Sequence, residues 1–136
     1  MTSGLALAFA LLVAASCGDE TTASGGTASA EPSSRLTITV RESADSTGST
    51  WTLTCDPAGG DHPDPAAACR ALDKANDPFG PVSADMMCTE QYGGPQTASI
   101  EGEWNGRTVN ASYERTDGCE ITRWDALAAV LGPGPT

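Results

Sequence analysis

The sequence predicts an α+β domain, in which an antiparallel β-sheet of about five strands packs against one or two helices and two disulfides brace the fold. Several short segments after position 35 alternate apolar and polar residues, as half-buried strands do. An Asn-Gly pair between two of these segments indicates a tight hairpin turn. One Ala-rich segment carries the signals of a helix start.

The first two strands are predicted to form a hairpin. In residues 36–40, LTITV, the Leu, Ile and Val side chains lie on one face of an extended chain. In residues 49–55, STWTLTC, the Trp, Leu and Cys side chains do the same. The polar residues 42–48 between the two segments favour a turn.

A helix is predicted to follow at residues 65–75. Asp64 precedes it and is a favoured N-cap residue. Pro65 suits the first helical position, because its φ is already helical and its missing N–H would have no partner there. Cys69 and Leu72 lie in the apolar stripe of this helix.

Two more strands and a second helix complete the predicted domain. Residues 98–104 and 108–115 are expected to pair through the Asn-Gly turn, which needs positive φ angles. Residues 124–131 have helical spacing, and the Gly-Pro pair after them ends the predicted helix.

The N-terminal part of the chain is not domain-like. Its run of Leu, Ala, Phe and Val is too short for a stable transmembrane helix but suits a signal peptide, which we assign to residues 1–16. The Ala-Ala-Ser-Cys sequence ending at Cys17 is similar to a bacterial lipobox, so Cys17 is the predicted lipidation site; cleavage that leaves an unpaired Cys17 is the alternative. Residues 17–34 are small and polar, which predicts a lipid-anchored flexible tether before the domain at 35–136. The expected location is extracellular, at the outer face of the cell membrane.

Charge and cysteine content limit the partners and the disulfides. The chain has 7 Lys and Arg against 18 Asp and Glu, which argues against a nucleic-acid partner because phosphate binding needs clustered basic residues. With Cys17 assigned to lipid, Cys55, Cys69, Cys88 and Cys119 remain. Four cysteines allow three pairings, and the residues alone do not choose among them.

No enzyme is predicted. His62 is the only histidine, and neither a nucleophile elbow nor a glycine-rich phosphate loop is present in the sequence. His62 with Asp61 and Asp64 offers a weak alternative metal site, but adjacent carboxylates are common in turns. We therefore predict no catalytic residue, no metal and no cofactor.

Short motifs around the cysteines follow one another in a recognisable order. They are LTC at 53–55, HP at 62–63 before the helix with Cys69, MMC at 86–88, WNG at 104–106, SYER at 112–115 and CE at 119–120. In this order they resemble the Streptomyces subtilisin inhibitor family of serine protease inhibitors, and the resemblance covers residues 35–121.

The resemblance implies both the disulfides and a site. The implied pairs are Cys55–Cys69 and Cys88–Cys119, the second tying the loop to a distant strand, and the implied scissile bond is Glu90–Gln91. The implied reactive loop consists of Met87, Cys88, Thr89, Glu90, Gln91 and Tyr92. The implied function is inhibition of a serine endopeptidase, either subtilisin-like or specific for acidic residues. The membrane would be contacted only through lipidated Cys17. A homodimer is an open alternative for the oligomeric state.

The loop departs from the family pattern. The family usually has Pro before its specificity residue and Met or Lys as that residue, whereas this chain has Thr89 and Glu90, and Gly93-Gly94 adds flexibility after the loop. A carboxylate that enters an apolar pocket loses its hydration without gaining a partner, so Glu90 predicts either a protease with a cationic pocket or weak inhibition. The alternative function is that of a cell-surface lipoprotein that uses an inhibitor-like fold as a non-inhibitory binding module.

Overall fold

The computed structural model describes residues 31–132 of the chain. The predicted signal peptide 1–16, the lipidation site Cys17 and most of the predicted tether 17–34 lie outside the described residues. No helix among residues 31–132 is long and apolar enough to cross a membrane.

A five-stranded antiparallel sheet forms one layer of the domain. In chain order the strands are β1 (Ser34–Arg41), β2 (Ser49–Cys55), β3 (Gly59–Gly60), β4 (Thr97–Trp104) and β5 (Arg107–Tyr113). Their spatial order is β3-β2-β1-β4-β5, so β1 is central and pairs with both β2 and β4. The predicted α+β class, the strand count and the first hairpin are confirmed.

The hydrophobic core lies on one face of this sheet. Leu36, Ile38 and Ile100 have no exposed surface, because the period-2 alternation of a strand points them to the same side. Other buried side chains join them: Leu53, Leu72, Val109, Tyr113, Trp124, Leu127 and Leu131. Full burial of one such aliphatic side chain stabilises the fold by about 1.5–3 kcal/mol. The opposite face is polar and carries residues such as Thr37 and Glu101, which are exposed.

Ser34 belongs to the folded domain rather than to a tether. It is the first residue of β1 and is 2% exposed, and its hydroxyl accepts a hydrogen bond from the backbone N–H of Asn105 at 3.0 Å. Asn105 and Gly106 form the turn between β4 and β5 with φ angles of 49° and 83°, as an Asn-Gly hairpin requires. The folded domain therefore includes the last residue of the predicted tether.

The first helix, α1 (Pro65–Lys74), begins where the sequence predicts. The carboxylate of Asp64 accepts a hydrogen bond from the backbone N–H of Ala67 at 3.1 Å, which confirms the predicted N-cap. A disulfide between Cys55 and Cys69 joins α1 to the end of β2. This is one of the two pairs that the family resemblance implies.

His62 is a structural contact and not a metal ligand. Its side chain is buried, its Nε2 donates to the carbonyl oxygen of Val130 at 2.9 Å, and its Nδ1 accepts from the backbone N–H of Asp64 at 3.0 Å. Asp61 accepts a hydrogen bond from the backbone N–H of Thr52. Because both ring nitrogens already have protein partners, His62 has no free nitrogen to offer a metal ion in this structure.

The second helix, α2 (Gly118–Ala126), begins earlier than the apolar spacing predicts. The sequence placed the start at Trp124, but Asp117 accepts a hydrogen bond from the backbone N–H of Glu120 at 2.8 Å and caps the helix before Gly118. Cys119 therefore lies in the first turn of a helix, and the expectation that it belongs to a strand is wrong.

A short third helix, α3 (Ala128–Leu131), follows a break at Leu127. The φ of −112° and ψ of 25° at Leu127 are not helical, so the predicted continuous helix 124–131 is also wrong. The break turns the chain so that the indole N–H of Trp124 donates to the carbonyl oxygen of Gly132 at 3.0 Å.

Candidate functional site

Residues 87–92 form an exposed loop before β4 without helix or strand. Among residues 31–132, the large apolar side chains that remain exposed are Met86, Met87 and Tyr92, and all three lie in or beside this loop. Met87 is 95% exposed and Tyr92 is 65% exposed. Apolar exposure grouped in one segment is typical of surfaces that contact another molecule.

The upstream side of the loop is anchored to the start of α2. A disulfide joins Cys88 to Cys119 with a Cα–Cα distance of 5.3 Å, and this is the second pair implied by the resemblance. The backbone N–H of Gly118 donates to the carbonyl oxygen of Thr89 at 3.0 Å. A Cβ atom at Gly118 would lie 2.0 Å from Thr89 Oγ1, so a larger residue there would displace the Thr89 side chain.

The downstream side of the loop is anchored to the end of β5. The backbone N–H of Gly93 donates to the carbonyl oxygen of Arg115 at 2.7 Å, and Arg115 Nε donates back to the carbonyl oxygen of Gly93 at 3.1 Å. A Cβ atom at Gly93 would lie 2.7 Å from Ile121 Cδ1. The sequence suggested that this glycine adds flexibility, whereas the structure uses it as a close contact point.

Both anchors come from one short stretch, residues 115–119. Between the anchored residues Thr89 and Gly93, the side chains of Glu90, Gln91 and Tyr92 are exposed. The loop is thus held at its two ends while its middle faces solvent.

An acidic side chain also lies just upstream of the loop. The hydroxyl of Ser83 donates to the carboxylate of Asp85, and this bond, with a further bond from the backbone N–H of Asp85, lowers the pKa of Asp85 from its usual value. Together with Glu90 in the loop, this carboxylate makes the exposed surface here negatively charged at neutral pH.

The cysteine anchor is not a metal centre. Within the described part of the chain, one cluster of three metal-ligating side chains brings Cys88, Asp117 and Cys119 within 4.8 Å of one another. The two sulfurs are bonded to each other, and a metal needs the free thiolate form of cysteine. The cluster therefore offers no ligand set for a metal.

The predicted site residues lie together, but their supports were missed. Met87 to Tyr92 form one continuous exposed loop, whereas Arg115 and Gly118 were not assigned any role from the sequence. The Asp117-x-x-Glu120 spacing is typical of a helix start and could have located the upstream anchor. No local pattern indicates that Arg115 would contact Gly93.

Comparison with known proteins identifies the family. The sequence model of the family described as Subtilisin inhibitor-like matches residues 30–117. The chain belongs to this family. It is a family of protease inhibitors and not of enzymes.

Family relatives from Streptomyces support the same assignment. Subtilisin inhibitor-like protein 2 of Streptomyces rochei is 41% identical over 71% of this chain and 87% of its own length. The subtilisin inhibitor of Streptomyces violaceus is 40% identical over 61% of this chain, and the match spans 55% of that relative. A crystal structure of Streptomyces caespitosus sermetstatin in complex with Bacillus licheniformis subtilisin aligns with 27% identity and a TM-score of 0.43, covering 66% of this chain and 89% of that one. The family assignment rests on the sequence matches.

Proposed function

We propose that this chain inhibits a serine endopeptidase by presenting residues 87–92 as a substrate-like loop with the scissile bond Glu90–Gln91. The observation that carries the proposal is an exposed segment anchored at both ends by residues 115–119. Relatives in the family are named as subtilisin inhibitors, which supports the same class of partner.

Rigidity of the loop is the physical basis of this function. Ordering the backbone of a single residue costs about 1–2 kcal/mol at 25 °C. For a loop that became ordered only on binding, the sum would approach the roughly 12 kcal/mol that holds a nanomolar complex together. The disulfide at Cys88 and the contacts at Thr89 and Gly93 order the loop before the protease arrives. The bound loop pairs its backbone with the protease cleft as an added strand.

Glu90 sets the kind of protease that fits. Its side chain is exposed, so it enters the primary specificity pocket of the protease with its charge unpaired by this chain. Transfer of an unpaired carboxylate into an apolar pocket costs on the order of several kcal/mol. A cationic pocket removes this penalty, so the favoured target is a serine protease specific for acidic residues.

Met87 supplies a second contact with the target. Because it is 95% exposed, nearly all of its apolar surface is free to become buried in a complex. Burial of a Met side chain stabilises by about 1.5–3 kcal/mol. The preferred target therefore combines a cationic pocket for Glu90 with an apolar pocket for Met87, three residues upstream of Glu90.

Titration of protease activity tests the proposal. The folded domain is added to a glutamate-specific serine protease and, separately, to subtilisin, and the residual activity is measured with a small substrate. We expect stoichiometric inhibition of the glutamate-specific enzyme and weaker inhibition of subtilisin. Glu90→Lys and Glu90→Met should redirect inhibition to trypsin-like and subtilisin-like enzymes, respectively.

A charge-matched control separates the loop from the rest of the surface. Glu101→Lys makes the same charge change on the exposed face of β4 and should leave the inhibition spectrum unchanged. If no protease is inhibited at micromolar domain, or if the domain is digested throughout, the inhibitor proposal fails and the non-inhibitory binding module becomes the better description. If Glu90 variants keep the original spectrum, the loop has been misassigned.

A further inference from the structure

Arg115 is a buried cation whose side chain bonds Gly93, at the downstream end of the exposed loop. It is 6% exposed, and its Nη1 donates to Asp125 Oδ1 at 3.0 Å. Its guanidinium carbon lies 5.6 Å from the ring of Trp124, and its Nε donates to the carbonyl oxygen of Gly93. The side chain therefore connects α2 directly to the chain just downstream of the scissile bond.

The shape of the guanidinium makes this connection rigid. Its donors lie in one plane at fixed angles, so binding Asp125 with one nitrogen fixes where the other can hold the carbonyl of Gly93. A lysine has a single flexible ammonium group and cannot reproduce both directions at once. The position of Gly93 thus depends on an arginine at this site.

The two sides of the scissile bond are held by different means. Upstream of the bond, the Cys88–Cys119 disulfide retains the acyl side covalently. Downstream of the bond, the Arg115 side chain donates a hydrogen bond to the carbonyl oxygen of Gly93, before β4 begins at Thr97. Retention of the amine side after cleavage therefore rests on non-covalent contacts centred on Arg115.

We propose that Arg115 is a positioning residue that keeps the cleaved loop ready for resynthesis, an inference that rests on the proposed inhibitory function. The serine hydroxyl of the protease attacks the carbonyl carbon of Glu90, the bond to the nitrogen of Gln91 breaks, and that nitrogen leaves as an amine with a proton from the protease. If the amine stays in place, it attacks the acyl-enzyme ester and restores the peptide bond. The serine oxygen then leaves as the hydroxyl of the protease, with the proton that the amine gives up. Arg115 bonds Gly93, two residues downstream of the Gln91 amine, and so keeps that amine in place and favours the intact loop.

The chain offers a closely matched control in Arg123. Arg123 also donates to a backbone carbonyl, that of Ser112 at 2.6 Å, pairs with the carboxylate of Glu120 at 3.3 Å, and lies 4.0 Å from the ring of Tyr113. It has the same three kinds of partner as Arg115, but none of them belongs to the loop. Loss of either arginine should lower thermal stability, whereas only loss of Arg115 should change the cleavage balance.

The experiment measures the ratio of intact to cleaved Glu90–Gln91 bond at equilibrium. Each variant is incubated with a catalytic amount of the glutamate-specific protease, starting once from intact and once from cleaved inhibitor, and the products are separated by mass. For Arg115→Ala we expect the ratio to fall at least about tenfold and inhibition to become temporary, because a hydrogen bond to a charged group is lost on the amine side alone. Arg123→Ala should keep the wild-type ratio despite a lower melting temperature.

Arg115→Lys keeps the inference testable if the alanine variant does not fold. It preserves the positive charge near Asp125, so it should recover part of the stability while its ratio stays below that of the wild type. An unchanged ratio and unchanged duration of inhibition in a folded Arg115 variant would overturn the inference alone. If the wild type is neither inhibitory nor cut at Glu90–Gln91, the proposed function falls and the inference falls with it.

Discussion

Two glycines determine how closely the loop packs against α2. At Gly118 the absent side chain leaves room for Thr89, and at Gly93 it leaves room for Ile121. Each glycine also uses its backbone N–H in a hydrogen bond that anchors the loop, to Thr89 and Arg115, respectively. The loop is therefore held by backbone groups at both ends, which leaves the side chains of its middle available for a protease.

At the same scale, Tyr113 predicts a loss of stability in alkali. Burial raises the pKa of Tyr113 to about 12, an effect opposed by the nearby Arg123 guanidinium and reinforced by Asp77, and its hydroxyl donates to the carbonyl oxygen of Pro78 at 2.7 Å. Since the folded state holds this proton more tightly than the unfolded state, the contribution is complete below about pH 10 and is lost between about pH 10 and 12.

Tyr113→Phe checks this prediction. The free energy of unfolding in urea should differ between wild type and variant by an amount that shrinks as the pH rises from 10 to 12, by up to about 2 kcal/mol. A difference that stays constant across this range would contradict the prediction, because it would show that the folded and unfolded states hold the Tyr113 proton equally tightly.

At the scale of the elements, the start of α2 is the support of the loop. Asp117 caps the helix whose first turn holds Gly118 and Cys119, so the cap orders both upstream contacts of the loop. Asp64 makes the equivalent hydrogen bond at the start of α1, whose disulfide leads to β2 and not to the loop. The two caps form a natural pair for comparison.

Removal of each cap should have equal effects on stability and unequal effects on inhibition. Asp117→Ala and Asp64→Ala are each expected to lower the free energy of unfolding by about 1 kcal/mol. Only Asp117→Ala should shorten the time before an inhibited protease regains activity, since it loosens the turn that holds the loop. Equal inhibition times for the two variants, at matched stability, would contradict this role for α2.

At the scale of the whole molecule, the two disulfides stabilise different parts of the chain. Cys55–Cys69 joins β2 to α1 at the core, whereas Cys88–Cys119 joins the loop to α2 at the surface. The net charge of −11 adds a general preference for a cationic partner. The homodimer that the family resemblance allows stays a prediction.

We further propose that the whole chain is a lipoprotein held at the outer face of the cell membrane. Full-length protein expressed in a bacterial host that processes lipoproteins should carry lipid on Cys17 and partition into detergent. Cys17→Ser should appear in the medium without lipid. Intact-mass measurement checks both, and identical unlipidated masses and identical partitioning for the two proteins would contradict the proposal.

Local periodicity was sufficient for much of the fold. The strands around Leu36 and Leu53, the Asn105-Gly106 turn and the N-cap at Asp64 depend on neighbours a few residues away, so the sequence predicts them. The start of α2 was missed because the apolar spacing begins only at Trp124, although the cap lies further upstream.

The sequence by itself determined the class of fold, the family resemblance and the position of the exposed loop. Only the tertiary structure decided how that loop is held, because Thr89 meets Gly118, and Gly93 meets Arg115, across large separations along the chain. Such contacts depend on where β5 and α2 are placed by the core, and no local pattern near either partner specifies that placement.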